Sequence, residues 1–262
     1  MSIEGTSTVV AEGAVEVESP PAATNGLSGF ADRVLLRLAG AVEAFPTRLL
    51  ALLTAVVIVG FGVLGGLEFF TSAQLGFFDV ESEGTVPTAF SGVLLLAAAF
   101  LALAVARMAD LTPAGRLAVW LIAAFFVFMG VDDVFSIHER VGTALGMRWQ
   151  IPMLPVVAVA AFFWLRVLRA MSVDRLASKL WIAGAAVWVG SQVFEGLQSA
   201  FVPGWEAGTY GSLHMHGALA LIEETGEMAG SALFLFALLV FLRSQIAVRG
   251  WTPALSGHHT GT

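Results

Sequence analysis

Six stretches of this chain each approach the roughly 20 apolar residues that an α-helix needs to cross a bilayer. They are Leu49 to Phe70, Thr88 to Met108, Ala114 to Ile137, Ile151 to Leu165, Leu180 to Ala200 and Ala218 to Leu242. In hydrocarbon every backbone N–H and C=O must be paired within the protein, and a single segment does this only as a helix. The spacing therefore predicts an all-α fold, a polytopic membrane helix bundle of about six transmembrane helices. Composition agrees: 57% of the 262 residues are hydrophobic and 13% charged, against about 25% charged in a soluble domain.

The segments outside the spans are read from their own chemistry. Residues 1–28 are rich in Ala, Glu, Ser, Pro and Gly with no apolar core, so they are expected to be a disordered acidic tail rather than a signal peptide. In residues 29–46, Val34, Leu35, Leu38, Val42 and Phe45 share one arc while Arg33, Arg37 and Glu43 lie elsewhere, the pattern of an interfacial amphipathic helix. The membrane domain then takes residues 47–243, and 244–262 form a flexible C-terminal tail.

Orientation follows from Lys and Arg, which accumulate in cytoplasmic loops. With the N-terminus inside, 11 of the 13 basic residues fall on the cytoplasmic side and only Arg140 and Arg148 fall outside. Both termini are thus expected in the cytoplasm, with the plasma membrane as the location. The acids distribute oppositely, 12 of 20 lying toward the outer end, and His138, His214 and His216 join them. High Ala, Gly and Val use, with 12 Arg to one Lys, suggests a GC-rich prokaryotic genome.

Three spans carry ionisable groups at bilayer depth, where each costs about 2.5–3.5 kcal/mol on insertion scales and so calls for a partner, a cavity or a function. In the third, Asp132 and Glu139 stand seven residues apart, in register on one face if the helix is continuous. His138 points about 100° from Glu139 on such a helix and joins the group only if the helix ends or bends there. In the sixth, Glu223 and Glu227 lie four apart, with Glu224 three from Glu227 and His216 extending the stripe. The fifth adds Gln192 and Glu195. At about 1.5 Å per residue all of these fall in the outer third of the bilayer. The second and fourth spans, which carry no acids, are expected to be lipid-facing walls. Gly226 with Gly230, and Gly62 with Gly66, read as close helix packing.

Neighbouring carboxylates cannot all ionise unless a cation joins them. Carboxylate oxygen with imidazole nitrogen suits zinc, manganese or iron, and carboxylate alone favours calcium or magnesium. With no cysteine, thiolate ligands, disulfides and a cysteine nucleophile are excluded. Nothing in the charge pattern suggests nucleic acid.

The Asp-Asp-x-x-x-x-His-Glu run at Asp132, Asp133, His138 and Glu139 and the Glu-Glu-x-x-Glu-Met-x-Gly run at Glu223, Glu224, Glu227, Met228 and Gly230 resemble those of a group of uncharacterised bacterial multipass membrane proteins. The resemblance covers about the C-terminal half and implies a shared membrane architecture, but brings no activity. Di-iron bundles pair Glu-x-x-His motifs, which are absent here. The sole lysine, Lys179, lies at the inner boundary, too shallow for a retinal linkage. Alkaline ceramidase and adiponectin-receptor type hydrolases use a His-x-x-x-His pair that is also missing.

The leading expectation is a divalent-metal site built from Asp132, His138, Glu139, Glu195, His216, Glu223 and Glu227, with His214 as an alternative nitrogen donor. Bound zinc, manganese, iron or calcium would there serve binding or a membrane enzyme. Proton or cation transport, and assembly into a membrane complex, are the alternatives. The partners expected are the lipid bilayer and either a second copy of the chain or a membrane complex.

Overall fold

The computed structural model describes residues 34, 37, 40–44, 46–71, 78, 85–201 and 210–249, with only the backbone for 68–71, 195–201, 210–216 and 249. Among the described residues there is no strand. Val34, Arg37 and residues 40–44 are helical, within the expected interfacial segment. Seven helices follow: α1 Thr47–Thr71, α2 Val86–Met108, α3 Pro113–Phe135, α4 Ile137–Leu145, α5 Gln150–Met171, α6 Arg175–Phe201 and α7 Tyr210–Arg249. The tail at 1–28 lies outside the described residues. Residues 244–249, expected in the C-terminal tail, continue α7, and 250–262 lie outside the described residues.

Five segments among the described residues are long and apolar enough to cross a membrane: Thr47–Leu67, Val86–Met108, Pro113–Phe135, Gln150–Met171 and Gly217–Val248. The remaining expected span falls on α6, whose 27 residues are long enough but include Arg175, Lys179, Ser191 and Gln192. The chain is accordingly an all-helical integral membrane protein.

Helix limits follow local chemistry. Thr112 accepts a hydrogen bond from the Gly115 N–H at 3.1 Å and Pro113 occupies the first turn, where its missing N–H costs nothing. Asp174 opens α6 by accepting from Leu176 and Ala177, each at 3.0 Å. The third expected span does not run through Ile137. It ends at Phe135, because Ser136 takes a left-handed conformation at φ 48° and restarts the chain as the short helix α4. Gly146, at φ 64°, closes α4 in the same backbone region, where glycine pays no steric penalty.

The core lies among α2, α3, α6 and α7. Ala98, Ala102, Ala104 and Ala106 of α2 are fully buried, so the backbones of α3 and α7 pack close to it. Trp181 is fully buried, edge-on to both Phe126 and Phe234 with ring centroids 6.1 and 5.0 Å away. At two crossings glycines bring the backbones close together. A Cβ at Gly92 would lie 2.9 Å from the Gly130 carbonyl oxygen and the reverse contact is equally short, while a Cβ at Gly184 or Gly230 would sit 3.2 or 3.1 Å from the other's carbonyl. Gly226 also packs closely, with Ser191 Cβ 3.2 Å from where its Cβ would stand, whereas Gly62 and Gly66 have ordinary clearance.

One expectation is overturned here. The apolar stretch of α2 is 61% buried and that of α5 only 6%, so α5 is a lipid-facing wall but α2 is central. The absence of acids from a span does not decide which way it faces. Small side chains let α2 sit between two neighbours, while Ile151, Leu154, Val159, Phe162 and Leu165 keep α5 outward.

Candidate functional site

At the end of the bundle where α3 stops and α5 begins, a cavity of about 340 Å³ opens among the helices. Thr88 and Ser91 of α2, Asp132 and Asp133 of α3, His138 and Glu139 of α4, Trp149 and Gln150, Gln192 of α6, and Glu223, Glu224 and Glu227 of α7 supply its polar lining. Six carboxylates therefore face one chamber. No lysine or arginine is among the described residues that line it.

The break at Ser136 builds its tightest feature. The left-handed turn there sets the start of α4 against the end of α3, and buried Asp132 pairs with both the backbone N–H and one ring nitrogen of His138. Its Oδ1 accepts the His138 backbone N–H at 2.8 Å and its Oδ2 pairs with the ring Nδ1 at 2.8 Å. The first contact caps α4, whose N-terminal N–H groups have no intrahelical acceptor and whose dipole favours a negative charge. The second holds the imidazole against Trp149, with ring centroids 4.4 Å apart. Seven-residue register between Asp132 and Glu139 is lost at the same break, and Glu139 lies exposed at the rim, beside a shallow depression that Arg148 also lines.

On the other walls, Ser91 lies beside the Asp133 carboxyl group, and Gln192 Nε2 donates to Glu227 Oε1 at 2.6 Å. The second of these ties α6 to α7 across the chamber mouth. Thr85 and Thr88 bond to each other at the start of α2, which fixes Thr88 in the lining.

Of the residues expected from sequence, Asp132, His138, Glu139, Glu223 and Glu227 come together around one chamber, joined by Asp133, Glu224 and Gln192. The side chains of Glu68, Glu195, His214 and His216 lie outside the described residues. Among the described residues, no three histidine or carboxylate side chains gather as a metal-binding group. They are spread around a chamber instead. Sequence reasoning missed Thr88, Ser91, Trp149, Gln150 and Trp188. The hydroxyls at the start of α2 were the available signal, passed over because that span carries no acid.

Beneath the polar chamber lies a second cavity of about 250 Å³ whose lining is apolar, from Leu95, Ile122, Phe126, Ala161, Trp164, Ala185 and Phe234 among others. Phe125, Met129, Val157, Trp188 and Val189 line both.

Residues 49–242 match the family model described as a domain of unknown function, DUF8692. No curated protein and no solved structure matches the chain.

Proposed function

Since the chain belongs to the DUF8692 family, whose function is unknown, we propose from the chamber itself that the protein binds a cation at the outer end of its membrane domain. The observation behind this is the six carboxylates of the polar chamber with no lysine or arginine among its described lining residues. Carboxylates at such density repel one another unless protons or a bound cation offset the charge, and a low-dielectric surround strengthens the repulsion. A cation in the chamber would offset part of that charge.

The excess of Lys and Arg at the opposite helix ends orients the chamber outward, with six spans including α6 and both termini in the cytoplasm. A divalent metal is one such cation. Asp132 holds His138 as a carboxylate holds a metal-ligating histidine, and Glu223 or Glu227 would supply oxygen. Because the described groups are dispersed, Glu195, His214 or His216 would have to complete that shell. Transport has less support: the apolar floor of Leu95, Ile122, Phe126 and Phe234 offers a permeating ion no ligands.

Isothermal titration of the full chain in nonionic detergent, with manganese, zinc, calcium and a simple alkylammonium ion, tests the reading. One saturable cation site is expected, weakened by roughly tenfold or more in the Glu223→Gln, Glu227→Gln double variant, as for loss of charge-assisted contacts. If none of these cations binds the native protein, or the double variant binds them equally well, the proposal fails.

A further inference from the structure

The cation reading leaves open what kind of molecule carries the charge, and the shape beneath the carboxylates narrows it. A site for a bare ion ends at its ligands. Here the polar chamber continues into an apolar one, with Trp188 and Val189 on one wall and Val157 on the other common to both. The two volumes, about 340 and 250 Å³, are of the order of known small-molecule sites, roughly 300–1,000 Å³.

The pair of chambers is bounded by α5 and α6, which meet only toward their shared turn. There the Trp181 indole N–H donates to the Trp164 carbonyl at 3.3 Å, the two rings stack with centroids 6.2 Å apart, and the Ser178 hydroxyl donates to the Met171 carbonyl at 2.8 Å. Further out both helices line cavities rather than each other. In α5 only Val167 and Met171 are buried, both near that turn. Val157 and Val189, on facing walls, remain 39% and 57% exposed, so the chambers are open between the helices at the level of the lipid chains.

Resting on the cation reading above, we infer that the occupant is an amphiphile with a protonated amine at one end and one long hydrocarbon chain at the other, entering from the bilayer between α5 and α6. Its ammonium lies among Asp133, Glu223 and Glu227, and its chain lies in the apolar chamber against Phe126 and Phe234. Charge complementarity selects the amine over a fatty acid, because a fatty-acid head would bring a seventh carboxyl group to the six already lining the chamber. Close packing against the apolar lining selects the long chain, since a short amine leaves Phe126 and Phe234 without contacts. Dispersed carboxylates suit an ammonium, whose three donors reach separate acceptors, better than they suit a metal that needs its ligands at one point.

Native mass spectrometry and competition binding on the full chain in nonionic detergent test this with hexadecylamine, hexadecanoic acid, propylamine and manganese, zinc and calcium chlorides. Hexadecylamine should bind one to one, at least about tenfold more tightly than hexadecanoic acid or propylamine, since one tenfold step is about 1.4 kcal/mol. Filling the lower chamber with Ala161→Phe should weaken hexadecylamine while leaving propylamine unchanged. An alkylamine length series on the unaltered protein gives the same answer without a variant: affinity should rise with chain length and then level off. Equal binding of the fatty acid, no length dependence, or insensitivity to Ala161→Phe in a folded variant overturns the inference. If a metal ion binds and the amine does not, this inference fails while the cation reading stands. If no cation of either kind binds, both fail.

Discussion

Ser136 separates α3 from α4. Its left-handed backbone, at φ 48°, costs a non-glycine residue about 1–2 kcal/mol, and the surrounding contacts must offset it. The contacts are visible: the Ser136 N–H donates to the Asp132 carbonyl at 2.7 Å, and Asp132 caps the new helix through the His138 N–H. Ser136→Gly should therefore raise the thermal midpoint in detergent by an amount corresponding to up to about 1 kcal/mol, limited by glycine's larger unfolded-state entropy. Asp132→Leu should lower stability by about 1–3 kcal/mol, since the part-buried His138 N–H and Nδ1 would both lose their Asp132 partner. A midpoint unchanged in both variants would mean that the turn is not held by this pairing. The sequence showed that His138 could join the acids only at a bend, but the bend itself was not legible. Serine has no intrinsic preference for the left-handed region, and this one is set by contacts that form after packing.

At the scale of elements, two pairs of helices are locked by glycine and one helix is not locked at all. The α2–α3 crossing places the Gly92 and Gly130 backbones so close that each Cβ would meet the other's carbonyl oxygen at 2.9 Å. Neither neighbour is a flexible side-chain end. Gly92→Ala and Gly130→Ala should each destabilise by about 1–3 kcal/mol through forced separation of the helices. Gly60→Ala, where nothing lies within 4 Å of the added carbon, should be neutral or slightly stabilising through helix propensity. Thermal unfolding of the three variants in one detergent checks this, and equal effects at all three positions would contradict the close crossing. α5 shows the opposite condition, with Pro155 inside it and little of its surface packed. That looseness is what leaves room for the two chambers. Burial of α2 and exposure of α5 were not separable from sequence, since both are uninterrupted apolar runs without acids, and only the small side chains of α2 differ in what they allow to approach.

For the whole molecule, the charge asymmetry makes a topological claim that the absence of cysteine makes easy to test. Single cysteines at Glu139→Cys in α4 and Ser172→Cys in the α5–α6 turn should react differently with a membrane-impermeant thiol reagent on intact cells. The first should label directly and the second only after permeabilisation, because the basic residues Arg166, Arg169, Arg175 and Lys179 surround Ser172. Reversed labelling would turn the chamber toward the cytoplasm. The sequence by itself determined that the chain is a helical membrane bundle, where most of its helices run, and that its acids gather at one end. These are one-dimensional facts: backbone groups in hydrocarbon must be satisfied within each segment, so each span declares itself locally. Only the tertiary structure decided that Asp132 grips His138 across a break, that α2 is core and α5 is wall, and that the carboxylates ring a chamber instead of meeting at a point. Those outcomes depend on which helix surfaces approach closely. That is settled by small residues and shape matching between segments far apart in the chain, such as Gly184 and Gly230, which no local pattern records.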